Sequence, residues 1–185
     1  MDKIVASYTP EDGRITYLAG FLANANFQEN LFHNNDSQSK LDRSQSFAVL
    51  AQALGDLSSK SSLLAEVTLG IHNFRKETEL YVDKYTLEAI SFDLGYRRHI
   101  AGDFWASASL GSMYPWRVRQ RLTSSTTNFD KSEFDSIYSA ILGIQYESTL
   151  FERPVSYDLR IRKYLSSQFD DQMSLGLSIG WRFGT

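Results

Sequence analysis

Hydrophobic and polar residues alternate with a period of two over eight segments, at about 14–28, 45–56, 62–75, 84–97, 103–119, 133–147, 154–164 and 172–183. Successive side chains of a strand point to opposite faces, so this period predicts strands rather than helices. The last segment shows it most plainly. Met173, Leu175, Leu177, Ile179, Trp181 and Phe183 fall on one face; Ser174, Gly176, Ser178, Gly180 and Arg182 fall on the other. The weakest segment is SFAVLAQALGD, where Phe47, Leu50, Leu54 and Leu57 would also make a helical stripe. Ala, Leu and Gln favour helix, but the neighbouring segments need a partner, and it is read as a strand.

The connections near 29–44, 76–83, 120–132 and 165–171 are the longer ones, whereas LSSKS, HIAG and STLFER are short. The 165–171 link is the shortest of the four, so long links mostly alternate with short ones, as in a meander whose two ends differ. The expected fold is all-β, an eight-stranded antiparallel up-and-down barrel over residues 14–183. Transmembrane barrels have tight turns at the periplasmic end and longer loops outside. On that reading, residues 1–13 form a periplasmic segment and the four longer links are extracellular. A soluble, lipocalin-like lipid-binding barrel has the same connectivity with its faces exchanged. The chemistry of the two faces separates these readings.

Gly20, Gly70, Gly95, Gly111, Gly143, Gly176 and Gly180 all fall mid-strand on the less apolar face. Glycine weakens an exposed strand but suits the crowded inner wall of a narrow barrel. All seven lysines lie in turns, loops, strand ends or the N-terminal tail. The polar strand face instead carries Arg97, Arg117, Arg119, Arg160, Arg162 and Arg182, with Glu66, Glu88, Asp93, Asp135, Glu147 and Asp158. Guanidinium with carboxylate is the pairing expected where charges are enclosed. On the apolar face aromatics gather towards strand ends: Tyr17, Phe27, Tyr85, Tyr96, Phe104, Trp116, Tyr146, Trp181 and Phe183. Aromatic girdles around an aliphatic band mark a wall that faces lipid. The expected arrangement is therefore a transmembrane barrel, with charges and glycines inside. Pro115 in GSMYPWRVR is poorly tolerated in a fully paired strand, so a bulge is expected near Met113 to Trp116. Such a bulge could open a lateral route between lumen and bilayer.

Composition changes this picture little. Among 185 residues the net charge is −3 and 42% are hydrophobic, with 14% aromatic and no cysteine. Mean hydropathy is −0.32. A slightly acidic chain without a basic stretch does not read as a nucleic-acid binder, and disulfides and thiolate metal sites are excluded. A spanning strand needs only about 10 residues, half of them apolar, so no window resembles a membrane helix. MDKIVASYTPEDG lacks the basic end and apolar stretch of a signal peptide. Either the protein is cytosolic, or a leader or a larger region has been removed before this start.

Ser174, Gly176, Ile179 and Trp181, with Phe183 extending the apolar row, resemble the terminal-strand signal of bacterial outer-membrane proteins. The trailing Gly184 and Thr185 depart from that pattern, which usually ends on the aromatic. The whole chain resembles small eight-stranded outer-membrane barrels of the OmpA-barrel and OmpX/Ail kind. That resemblance implies location in the bacterial outer membrane and contact with its lipid and lipopolysaccharide. It also implies delivery to the barrel-assembly machinery, which pairs with the last strand as an exposed edge.

The expected interior network is Glu66, His72, Asp93, Arg97, Arg117, Arg119, Asp158, Arg160, Arg162 and Arg182. Eight strands leave a bore just wide enough for side chains, so these groups are expected to pair and close it. His72 is expected on the inner face beside Glu66 and Thr68, and His99 in a solvated turn. His33, Asp36 and Ser37 carry the residue types of a hydrolase triad, but neighbours in one loop rarely brace each other as a triad requires. Leu31, Phe32, Tyr81 and Phe129 are apolar residues amid polar loop sequence, suited to self-packing or to an extracellular contact. The expected function is a non-enzymatic barrel acting through its surface loops or a protein partner outside or in the periplasm, with no cofactor and no metal. The alternatives are a narrow channel for small or hydrophobic solutes, the soluble barrel, and a lipid A acyltransferase or deacylase.

Overall fold

The computed structural model describes residues 13–28, 44–77, 82–122, 125–129, 136–165 and 172–183. They form nine strands: β1 (Ile15–Gln28), β2 (Ser44–Ser58), β3 (Ser61–Glu77), β4 (Val82–Ala101), β5 (Phe104–Leu122), β6 (Ser125–Phe129), β7 (Ile137–Leu150), β8 (Arg153–Tyr164) and β9 (Gln172–Phe183). Eight of them make a closed antiparallel ring in the order β1, β2, β3, β4, β5, β7, β8, β9, with β9 returning to β1. The short β6 pairs with Val118–Leu122 of β5, on the edge where β7 pairs with Phe104–Met113 further along, so it extends the wall at that edge. Part of the expected 120–132 loop is therefore strand.

β2 resolves the ambiguous segment. Its side chains alternate strictly, with Phe47 and Leu57 outside and Leu50 and Leu54 inside. Twelve residues of β1 pair with β9, so the chain's first and last strands form a full seam and the sheet has no open edge there.

The wall is inverted relative to a water-soluble barrel. Leu94, Leu110 and Leu142 are 70%, 68% and 67% exposed, whereas Glu66 and Arg97 are 2% and 0% exposed. Outward apolar side chains recur on all eight ring strands, far beyond the few hundred Å² of patch a soluble monomer tolerates. On β1 the outward row runs from Ile15 to Phe27 without a charge. At about 3.3 Å per residue and a tilt near 40°, that row stands about 30 Å tall, which matches a hydrocarbon core.

The interior is layered. Leu18, Leu54 and Leu64 pack towards the short-turn end. Phe74, Leu87, Ala89, Met113, Val118, Ile137 and Tyr164 form an apolar cap towards the long-connection end, with Phe74 and Tyr164 meeting edge to face at 5.0 Å. Charged groups lie between. Tyr85, expected on the lipid face, instead packs inward against the apolar cap. It shares the inward parity of Leu87 and Ala89 on β4.

At the short β7–β8 turn, Phe151 and Glu152 have φ of 50° and 63°. This is the type I′ two-residue hairpin, which needs positive φ at both central positions, a conformation neither residue favours.

Candidate functional site

Inside the barrel, ion pairs join strands that are distant in sequence. Arg160 on β8 meets Glu66 on β3 with Nη1–Oε1 at 2.5 Å and Nη2–Oε2 at 3.0 Å. β3 and β8 lie four places apart in a ring of eight, so this forked contact crosses the full bore. Arg160 Nε also donates to Asp158 at 2.7 Å, and Gln52 donates to Glu66 at 3.1 Å. One turn of the pleat further along β8, Arg162 donates to Asp93 on β4 at 2.6 Å. Glu66 and Asp93 stand directly opposite each other on paired strands, where like charges repel. Arg160 and Arg162 from β8 offset that repulsion.

A second cluster lies nearer the short turns. Arg97 on β4 donates to Glu147 on β7 at 2.6 Å, and Arg182 on β9 pairs with the same carboxylate. The Arg97 guanidinium also sits 4.2 Å from the ring centroid of Trp105 and 3.4 Å from Gln145 Oε1. The indole face supplies negative quadrupole to the cation.

Two glycines make room for these groups. A Cβ on Gly111 would reach within 3.0 Å of Asp93 Cγ and Ser139 Oγ. One on Gly143 would lie 2.7 Å from Ser107 Oγ and 2.9 Å from Asp158 Oδ1. Small residues on the inner wall therefore set where the carboxylates stand.

Of the expected interior residues, Glu66, His72, Asp93, Arg97, Asp158, Arg160, Arg162 and Arg182 are buried in the bore. Arg117 and Arg119 are not. Their side chains are 58% and 53% exposed on the outer wall, where both approach Glu88 at 3.1 and 3.5 Å. The register explains the correction. Ala89 pairs with Pro115 and Glu88 with Arg117, so Trp116 is an extra residue on β5. An inserted residue reverses the alternation beyond it. Met113 and Pro115 point inward before the bulge, and Val118 points inward after it. Glu88, also expected inside, has outward parity on β4.

His72 is 1% exposed, and neither ring nitrogen has a hydrogen-bond partner among the described residues. His99 is half-buried rather than solvated: its Nε2 lies 2.7 Å from the Gly102 carbonyl and its ring meets Trp105 edge to face at 5.2 Å. On β9, Ser174 and Gly176 face inward and Ile179, Trp181 and Phe183 outward. Leu31, Phe32, His33, Asp36, Ser37, Tyr81 and Asp135 lie outside the described residues, as do residues 1–12 and 184–185. Phe129 falls on β6.

Trp105, Gln145 and Gln52 are network members that the sequence pattern alone did not single out. Trp105 shares inward parity with Ser107, and Gln145 with Gly143 and Glu147, which was the available signal; Gln52 lies between the inward Leu50 and Leu54, where the pattern offered none. No group of three or more metal-ligating side chains occurs among the described residues.

No family model matches the chain, and no curated protein matches it. Among solved structures, Ail of Yersinia pestis in complex with the heparin analogue sucrose octasulfate is similar at 15% identity and a TM-score of 0.51. The match covers 94% of this chain and 100% of Ail. Neisserial surface protein A is similar at 13% identity and a TM-score of 0.49, over 92% of this chain and 97% of that one. The chain has the fold of the small eight-stranded outer-membrane β-barrels, with an apolar outer wall and a charged bore suited to an integral protein of the bacterial outer membrane.

Proposed function

We propose that the chain is a non-enzymatic outer-membrane barrel, closed by its interior ion pairs, that acts through the long connections at one end. The observation that carries this reading is the Arg160–Glu66 contact, which ties diametrically opposite walls and occupies the bore. The apolar cap of Phe74, Leu87, Met113, Val118, Ile137 and Tyr164 fills the lumen nearer the long connections. Neither described histidine is braced as a general base: His72 has no hydrogen-bond partner among the described residues, and His99 meets a backbone carbonyl. The long connections face the exterior on this reading, and the β9 pattern serves delivery to the assembly machinery. Ail, a protein of this fold, has been seen with a sulfated sugar analogue, which favours a binding use of the scaffold.

Planar-bilayer recording of the refolded chain tests closure. Steady conductance steps in the wild type would replace this reading with the narrow channel, and a silent bilayer is expected. Heat-modifiable gel mobility in detergent, with aggregation in plain buffer, is the expected behaviour of the wall.

A further inference from the structure

The bulge at Trp116 places cations on the outer wall in register with others. Across β3, β4 and β5 the outward rows read Arg75–Lys84–Arg121, Asn73–Thr86–Arg119 and Ile71–Glu88–Arg117. The row beneath, Leu69–Ile90–Tyr114, is apolar and exposed or half-buried. Among the described side chains of these rows, Lys84, Arg117, Arg119 and Arg121 face outward with one carboxylate, Glu88, next to Arg75 and immediately above the lipid-facing band. Lys84 and Arg121 have no acidic partner among the described residues and are exposed. Uncompensated charge in this place is too high on the wall for hydrocarbon and sits at headgroup depth.

Two concavities continue from the cationic rows. A recess of about 420 Å³ is lined by Gln45, Phe47, Asn73, Arg75, Lys84 and Thr86. A larger apolar groove of about 570 Å³ runs below it past Phe47, Ile71, Leu69, Phe21 and Ala23. Phe47 belongs to both, so a recess of mixed lining that carries Arg75 and Lys84 adjoins an apolar groove. Phosphate oxygens match guanidinium and ammonium donors above, and an acyl chain matches the groove below.

We infer that this face of β2–β5 is a binding site for a phosphate-bearing membrane lipid, its phosphate held by Lys84, Arg119 and Arg121 and an acyl chain lying over Phe47 and Ile71. The inference rests on the membrane placement of the barrel and adds to it a lipid-selective site at the long-connection end. Glu88 is paired with Arg117 at 3.1 Å and reaches Arg119 at 3.5 Å, so a phosphate at Arg119 shares that guanidinium with the carboxylate.

The test uses the full chain refolded in mixed micelles containing equal phosphatidic acid and phosphatidylcholine, with retained lipid counted by native mass spectrometry. Only the fraction with folded, heat-shifted mobility is scored. The wild type is expected to retain phosphatidic acid over phosphatidylcholine. The variant K84Q/R119Q/R121Q is expected to lose that preference by about fivefold for each cation removed. The control K60Q/R98Q/R153Q removes the same charge from exposed positions at the short-turn end and is expected to keep the preference. Equal loss in both variants, or no loss in the first, overturns the site. Displacement of the retained lipid by millimolar inorganic phosphate also overturns it, because the site would then take a soluble anion. A wild type that stays monodisperse in plain buffer would overturn the membrane placement instead, and solubility tells that failure apart from lost selectivity.

Discussion

Replacing Glu66 by Ala removes the carboxylate that Arg160 grips with two nitrogens across the bore. Arg160 is 4% exposed, so the freed guanidinium has no water to turn to and keeps only Asp158. Breaking a buried pair by deleting one partner costs about 3–5 kcal/mol. Gln52, which donates to Glu66 at 3.1 Å, also loses its acceptor, at about 1 kcal/mol. With an m value of about 2 kcal/mol/M in urea, the unfolding midpoint in lipid vesicles should fall by about 2–3 M, read by tryptophan fluorescence and heat-modifiable mobility. Removing the whole triad, as Glu66→Leu, Asp158→Ala and Arg160→Met together, leaves no orphaned charge and should recover most of that loss, since apolar replacement of a buried triad is often neutral or stabilising. A midpoint shift below about 0.3 M for the single variant, which at that m value is about 0.6 kcal/mol, would mean that the bore is wet and the charges solvated. A triple variant worse than the single one would show that the network stabilises the barrel in net terms, contrary to the desolvation argument.

Other substitutions probe separate parts of the structure. His72→Leu should leave stability unchanged or raise it by about 1 kcal/mol, because a buried ring with two unpaired nitrogens gives way to an apolar side chain; urea titration checks this. Phe151→Asn with Glu152→Gly should stabilise by about 1–2 kcal/mol, since both positions have positive φ, and the gain should appear as a slower unfolding rate or a higher midpoint. Gly20→Val should abolish folding, because its Cβ would run into the Ile179 carbonyl and Gly180 Cα across the β1–β9 seam; absence of the heat-shifted band is the readout. Leu142→Arg, at a position 67% exposed on the outer wall, should cost about 2–4 kcal/mol in lipid, whereas a wall facing water would accept it without loss.

Period-two alternation is enough to place the ring strands, because a strand with one enclosed face writes its geometry into every second residue. The same rule locates Glu66, Asp93, Arg160 and Arg162 in the bore but cannot say which pairs form. Pairing across the ring depends on strand order: Arg160 meets Glu66, 94 residues away, only because β3 and β8 become opposite walls. Alternation misleads where it is assumed to continue. Pro115 marks a bulge in the sequence, yet the consequence for Arg117 and Arg119 appears only when the parity is reversed beyond Trp116. Residue type misplaces Tyr85, since an aromatic near a strand end reads as girdle even when its parity with Leu87 and Ala89 points inward.

The bulge therefore sorts charge as well as bending a strand. The bore holds four network guanidiniums, Arg97, Arg160, Arg162 and Arg182, against four carboxylates, Glu66, Asp93, Glu147 and Asp158. Unbroken alternation along β5 would have sent Arg117 and Arg119 inside, adding two cations with no acid to meet them. Uncompensated burial costs several kcal/mol per ion even after relaxation, comparable with the whole stability of a domain. One additional residue at Trp116 turns Val118 into the apolar cap instead and delivers both arginines to the outer wall beside Lys84 and Arg121. Balance inside and the cationic face outside are consequences of the same irregularity.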